Sequence, residues 1–293
     1  MVPDTIFAPA KINLHLAVFD KRPDGFHNLE SIFLAVDFCD TLHFAPAETT
    51  EIHMNWDEKI QPEEIPLEKN IIYKTLSLFR EKTGYVQGFK INVEKRIPTG
   101  SGLGGGSSNA ASTLLALNEL AGFPLKREQL HEMAAFLGSD VPFFIYKTGA
   151  ALVRGRGECV VPLNAPDWFI VLVNPGFASD TAAAFRLLDE YRTCRTSEDQ
   201  TQHFNFNEKY QLDRFPLLNF KNDFLFIFPE PEKTVYNKIV SCLKKEGAEF
   251  AGLSGTGSTC FGIFNEKTQA DKAALSMSGE YRFVICCSLF KSN

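Results

Sequence analysis

The chain has 293 residues, 44% of them hydrophobic, with a formal net charge of −6. That length has room for two domains, or one large one, around a substantial core, and the acidic balance argues against a nucleic-acid surface that works by bulk charge. No apolar run reaches the ~18 residues of a membrane span and no leader pattern opens the chain, so a cytoplasmic protein with no membrane contact is expected.

In chain order, residues 5–18 read as extended, interrupted at Pro9. Lys21-Arg22-Pro23-Asp24-Gly25 is turn chemistry, and the apolar stretch 29–44 returns, which predicts a long β-hairpin. Residues 70–81 place Ile72, Leu76 and Phe79 on one helical face, stopped by Gly84. A strand over 88–97 leads into a glycine-rich stretch and a helix over 107–121. A further helix over 126–137 keeps Leu130, Met133, Ala134 and Leu137 at i, i+3, i+4, i+7, with Gly138 as its cap. Short strands over 150–161 end at Pro162. Asn164-Ala165-Pro166-Asp167 marks a boundary and divides the chain into 1–163 and 164–293. Beyond it come an apolar strand over 168–173, helices over 181–191 and 232–245, and a polar stretch, 193–203, that is a candidate mobile loop. A strand at 250–251, a second glycine loop, a strand over 259–264, a helix over 266–277 and a strand over 281–288 complete a split βαβ order. The seven cysteines lack metal-ligand spacing and read as buried free thiols. Cys286 and Cys287, adjacent on a strand, should face opposite sides.

Five segments carry chemistry. Pro98-Thr99-Gly100-Ser101-Gly102-Leu103-Gly104-Gly105-Gly106-Ser107-Ser108-Asn109 holds five glycines and three serines between a strand and a helix. Such a loop aims its N–H groups inward, and the helix dipole adds about half a positive charge, so it cradles a chain of phosphates. Gly100, Gly102 and Gly105 formally satisfy the dinucleotide pattern GxGxxG, but no strand follows to carry the acidic residue a dinucleotide needs ~20 positions on. Lys11 and Asn13 share one face of an apolar strand, where a lysine either snorkels to solvent or meets an anion. Asp140 follows Gly138-Ser139. Alone it reads as a helix cap, yet Val141-Pro142-Phe143-Phe144 makes its surroundings apolar. Phe26 and His27, just past the Pro23-Asp24-Gly25 turn, could stack on and hydrogen-bond a flat polar ring. Gly255, Thr256 and Gly257 form the second small-residue loop.

Taken together, in this order, the segments resemble the GHMP kinases, the superfamily of galactokinase, homoserine kinase and mevalonate kinase. The signature Pro-x-x-x-Gly-Leu-Gly-Gly/Ser-Ser-Ser matches at Pro98 to Ser108. Ala-Pro-Ala-Lys11-Ile-Asn-Leu, Pro-Asp-Gly-Phe26-His27 and Gly-Ser-Asp140-Val-Pro-Phe-Phe are similar to the branch whose acceptor is 4-diphosphocytidyl-2-C-methyl-D-erythritol. The resemblance implies an α/β (α+β) chain, with an N-terminal domain like ribosomal protein S5 domain 2 and a ferredoxin-like C-terminal domain. It implies ATP and Mg²⁺ as cofactors, and no partner but the small-molecule substrate in a monomer or homodimer. It makes Asp140 the general base and Lys11 its partner, and places the ATP phosphates on Pro98 to Ser108. Lys95 and Asn70 would lie near the nucleotide, Asn13 near the substrate, and Phe26, His27 and Phe185 around the cytosine. Position 26 is more often tyrosine in that pattern; phenylalanine keeps the stacking face. No metal ligand is evident, Ser108 being the one candidate. Competing readings are another GHMP kinase, a nucleotide-binding regulator without turnover, a nicotinamide oxidoreductase and an RNA-binding module.

Overall fold

The computed structural model describes residues 5–60, 64–193, 212, 220–281 and 283–291. The predicted hairpin forms. Strands β1 (Ile6–Lys21) and β2 (His27–Ala47) pair antiparallel, from Ile6 opposite Leu42 to Lys21 opposite His27. Its turn is closed by the Arg22 N–H on the Phe26 carbonyl at 2.7 Å and by Gly25, at φ +85°, on the Arg22 carbonyl at 3.0 Å. Pro9 does not interrupt β1 as the sequence suggested. The register shifts between Pro9 and Ala10 instead, and a bulge of this kind accommodates a residue with no N–H to give.

Strand β2 serves two partners at different heights. It pairs β3 (Glu51–Trp56) indirectly through β4 (Gly88–Lys95), which lies on residues 41–47, and it pairs β5 (Ala150–Gly155) over residues 29–34, with β6 (Cys159–Pro162) outermost. Between those heights the end of the chain comes in: Val36 bridges Leu289, and the Phe290 N–H donates to the Ala35 carbonyl at 2.9 Å. One face of this sheet carries helices α1 (Ile71–Thr83), α2 (Gly105–Leu120), α3 (Arg127–Leu137) and α4 (Val141–Ile145) over a core of Phe33, Ile91, Val93, Leu114 and Phe143. Asn70 caps α1 by accepting from the Ile72 N–H at 2.9 Å, and Gly84 ends it at φ +73°, as expected.

The other face packs Ile12, Ile32 and Leu34 against Ile170, Leu172, Phe261 and Ile263 of a second sheet and against Trp168 just before it. That sheet is antiparallel in the order β10 (Phe283–Ser288), β7 (Phe169–Asn174), β9 (Cys260–Phe264), β8 (Phe250–Leu253). Helices α5 (Thr181–Thr193), α6 (Glu232–Lys245) and α7 (Lys267–Ser278) cover its far side, a ferredoxin-like layout. Cys287 packs toward the inter-sheet core and Cys286 toward the helical one, so the pair does split across the sheet. Only Cys39 and Cys260 are buried among the described free thiols, and Cys159 is exposed, which corrects the expectation of uniformly buried thiols. The candidate loop at 193–203 lies outside the described residues beyond Thr193. No helix among the described residues is long and apolar enough to cross a membrane.

Candidate active site

The glycine loop is held by its carbonyls. Gly100 O accepts from the Ser179 N–H at 2.7 Å, Ser101 O from the Thr259 N–H at 3.0 Å, and Leu103 O from the Lys11 N–H at 2.9 Å. The Ser254 hydroxyl donates to Gly102 O at 2.9 Å. Gly100, Gly102 and Gly104 sit at φ +62°, +76° and +69°, a region that favours glycine. With those carbonyls tied to the body of the protein, the opening N–H groups of α2 remain for a guest, because the first turn of a helix has no internal acceptors. Space decides two more positions. A Cβ on Gly102 would stand 2.1 Å from the Ser254 carbonyl oxygen, whereas one on Gly106 would meet nothing within 4 Å. The loop is therefore packed on one side and open on the other.

The second glycine loop is its clamp. Gly255 lies against Gly102, with 3.4 Å from its notional Cβ to the Gly102 Cα. The Thr256 carbonyl accepts from the Ser179 hydroxyl at 2.7 Å, and Gly257 donates to Ser254 O at 2.9 Å. Asn222 fixes the same turn from below, its amide donating to Leu253 O at 2.7 Å and Gly255 O at 2.8 Å.

Lys11 meets its anion. Its Nζ lies 3.2 Å from Asp140 Oδ2, donates to Asn13 Oδ1 at 2.7 Å, and stands 4.9 Å above the Phe33 ring. Asn13 in turn donates to Ser31 Oγ at 2.9 Å, and Ser31 donates to the His15 carbonyl. A Cβ on Gly104 would come within 2.9 Å of Lys11 Cγ, so the glycine loop passes directly over the lysine stem. Asp140 occupies the N-cap position of α4, but its carboxylate makes no cap bond. The helix-cap reading of Asp140 is thus replaced by an ion pair. Lys11 is 4% exposed and Asp140 30% exposed, so the carboxylate alone looks outward.

Lys95 and Asn70 are placed differently. The Lys95 ammonium lies 2.7 Å from Asp40 Oδ2, also donates to the Ile97 carbonyl, and sits 3.1 Å beneath the notional Gly105 Cβ. It is buried under the loop, and burial pulls its pKa down against the opposing pull of Asp40. Asp40 is fully buried and accepts from the Arg96 and Ile97 N–H groups at 2.7 and 2.8 Å and from the Asn109 amide at 3.0 Å. Sequence reasoning passed over Asp40, because the exposed Asp37 three residues earlier in β2 gives the same sequence signal. The Asn70 oxygen caps α1, and its amide reaches Met54 Sδ at 3.9 Å. Ser108 is fully buried, and its Oγ has no hydrogen-bond partner among the described residues.

The aromatic hairpin forms a second cluster. His27 stacks on Phe185 with centroids 5.1 Å apart and its Nε2 lies 2.8 Å from Asp189 Oδ1, which fixes the ring orientation. Phe26 is 48% exposed, with the Arg156 guanidinium 4.7 Å from its centroid. Sequence reasoning missed Asp189, four residues after Phe185 and so on the same face of α5.

Sequence models of the GHMP kinases N terminal domain and of the GHMP kinases C terminal match residues 70–148 and 220–282. The 4-diphosphocytidyl-2-C-methyl-D-erythritol kinase of Thermodesulfovibrio yellowstonii is 38% identical, over 96% of this chain and 96% of that protein. The protein of the same name from Geotalea daltonii is 35% identical, over 93% and 94%. A crystal structure of 4-(cytidine 5'-diphospho)-2C-methyl-D-erythritol kinase superposes with a TM-score of 0.79 at 29% identity, covering 98% of this chain and all of that one. Homoserine kinase from Cytophaga hutchinsonii, at 19% identity and a TM-score of 0.67, shares the fold. A bare phosphate-type loop clamped by a second loop, with an outward carboxylate held by a buried lysine, is thus found in a chain that belongs to the 4-diphosphocytidyl-2-C-methyl-D-erythritol kinase family of the GHMP kinases.

Proposed function

We infer that this enzyme transfers the γ-phosphoryl group of ATP to the 2-hydroxyl of 4-diphosphocytidyl-2-C-methyl-D-erythritol, giving the 2-phosphate and ADP in the non-mevalonate route to isoprenoid precursors. The observation that carries the mechanism is the Lys11–Asp140 pair at 3.2 Å beneath the glycine loop. The acceptor hydroxyl is tertiary, hindered and weakly acidic. Asp140 accepts its proton through the outward carboxylate, a contribution typically of ~10²–10⁴ in rate. Lys11 orients that carboxylate and offsets charge growing on the transferred group. Asn13 and Ser31 hold the lysine, and the loop N–H groups hold the donor phosphates in line. His27, Phe185 and Phe26 take the cytosine.

Mg²⁺ would neutralise phosphate charge when bound. Among the described residues no three His, Cys, Asp or Glu side chains cluster as a metal cage. That fits an ion carried by nucleotide phosphates and water. Ser108, the sequence candidate for a ligand, is fully buried in the first turn of α2. Residues 1–163 form the nucleotide-binding domain and 164–293 the second domain in this reading, and the enzyme works in the cytoplasm as a monomer or homodimer.

An ADP-release assay across acceptors tests the assignment. Turnover is expected with the cytidylyl acceptor and ATP, dependent on Mg²⁺. Higher kcat/KM with mevalonate or homoserine, or preferential binding of NAD over ATP by calorimetry, overturns it.

A further inference from the structure

We propose that Arg156, in the tight turn between β5 and β6, binds the diphosphate of the acceptor and so sets the enzyme's preference for a nucleoside diphosphate over a free nucleoside. The proposal rests on the acceptor reading above.

The turn touches both ends of the acceptor site. On one side the Arg156 guanidinium stands 4.7 Å from the Phe26 ring centroid. On the other, a Cβ on Gly157 would lie 2.0 Å from the Ser139 carbonyl oxygen, so the turn is pressed against the residue preceding Asp140. Gly157 is at φ +134° and Gly155 at φ +74°, backbone that side chains resist. Glu158 folds back to accept from the Arg156 N–H at 2.5 Å, and so stabilises the turn through the backbone of Arg156. Among the described residues no carboxylate lies within ion-pair distance of the Arg156 guanidinium; Asp24, in the neighbouring hairpin turn, pairs with Arg22 at 3.0 Å and feels the Arg156 charge only from farther away.

Chemistry then selects the ligand. An acceptor with its cytosine at Phe26 and His27 and its hydroxyl at Asp140 must lay its diphosphate along the path between them. Along that path Arg156 contacts Phe26, and the adjacent Gly157 contacts Ser139, the residue before Asp140. A guanidinium on that path, with its planar fork and no described carboxylate within ion-pair distance, matches phosphate oxygens two at a time. Stacking on Phe26 limits its motion, so little side-chain freedom is lost on binding.

The test compares the wild-type enzyme with Arg156→Met, which keeps an unbranched apolar stem, and Arg156→Lys, which keeps charge without the fork. Calorimetry measures binding of cytidine and of cytidine 5′-diphosphate; the ADP-release assay gives kcat and both KM values. Arg156→Met should weaken cytidine 5′-diphosphate binding roughly 10- to 100-fold, the range of a charge-assisted contact. It should raise acceptor KM in parallel and leave cytidine binding and the KM for ATP unchanged. Arg156→Lys should recover part of the loss. Equal loss for cytidine and its diphosphate would assign Arg156 to the Phe26 ring alone and overturn the proposal, as would wild-type affinity for both in Arg156→Met. Failure of the wild-type enzyme to phosphorylate the cytidylyl acceptor would instead overturn the functional reading on which the proposal rests.

Discussion

Two lysine–aspartate pairs lie under the same glycine loop, and they are built for opposite ends. Lys95 and Asp40 meet at 2.7 Å with Asp40 fully enclosed, and that carboxylate accepts from two backbone N–H groups and one amide besides. Every donor comes from the end of β4, the following loop or α2, so Asp40 ties the strand that enters the loop to the helix that leaves it. Lys11 and Asp140 meet at 3.2 Å, with the lysine buried and the carboxylate 30% exposed. Its cap bond is missing and its outer face is open. A carboxylate saturated with donors can hold structure but has no lone pair to offer a substrate hydroxyl; one with spare lone pairs at the surface does. The contrast separates strut from base more sharply than either pair does alone.

The largest test of that contrast is Asp140→Asn. Turnover should fall by ~10²–10⁴, while ATP binding stays near wild type; a kcat close to wild type would end the base assignment. Asp40→Ala should do the reverse. Removing one partner leaves a buried ammonium uncompensated, which costs about 3–5 kcal/mol, read from urea unfolding. Loss of kcat without loss of stability would erase the distinction between the pairs. A third test reaches the platform behind Lys11. Burial, with a smaller push from Lys221, holds the buried His15 imidazole down to about 4, and its Nδ1 accepts the Lys221 N–H at 3.2 Å. The unfolded chain takes up that proton near pH 6.5 and the folded one near 4. His15 therefore costs the fold nothing through protonation above pH 6.5, and stability falls by about 3 kcal/mol at most as pH falls from 6.5 toward 4. Unfolding of His15→Gln followed across that range should show a flatter pH dependence; an unchanged slope would exclude His15 as the source. The smallest effect belongs to the hairpin. Phe26→Ala or His27→Ala should raise acceptor KM roughly tenfold, the scale of one lost aromatic contact, and leave the KM for ATP alone. Equal shifts in both would move the cytosine away from the hairpin.

Much of the frame was legible because local rules and tertiary demands agree. Helix α6 spans Glu232–Lys245, the range expected from sequence, and Gly84 ends α1 in the left-handed conformation that glycine favours. The hairpin follows from Pro23-Asp24-Gly25. Strand β3 was missed even though Ile52, Met54 and Trp56 alternate with polar neighbours, because an edge strand with one half-buried face carries a weak signal. Helix α4, five residues with a proline near its start, is too short for periodicity to register. At the site, Lys11, Asn13 and the loop could be read as polar or bare residues out of keeping with their surroundings. Asp40 and Ser254 could not, because their roles depend on partners more than fifty residues away in sequence.

The anchoring of the glycine loop has a consequence for biosynthesis. Ser179, Ser254 and Thr259 supply three of the four groups that hold its carbonyls, and all three follow the first sheet in the chain. A nascent chain emerging N-terminus first has already made Gly100 to Ser108 but none of those anchors. The phosphate grip therefore forms late, when the second sheet docks, and nucleotide affinity in ribosome-bound chains should rise only after about residue 259 has cleared the exit tunnel.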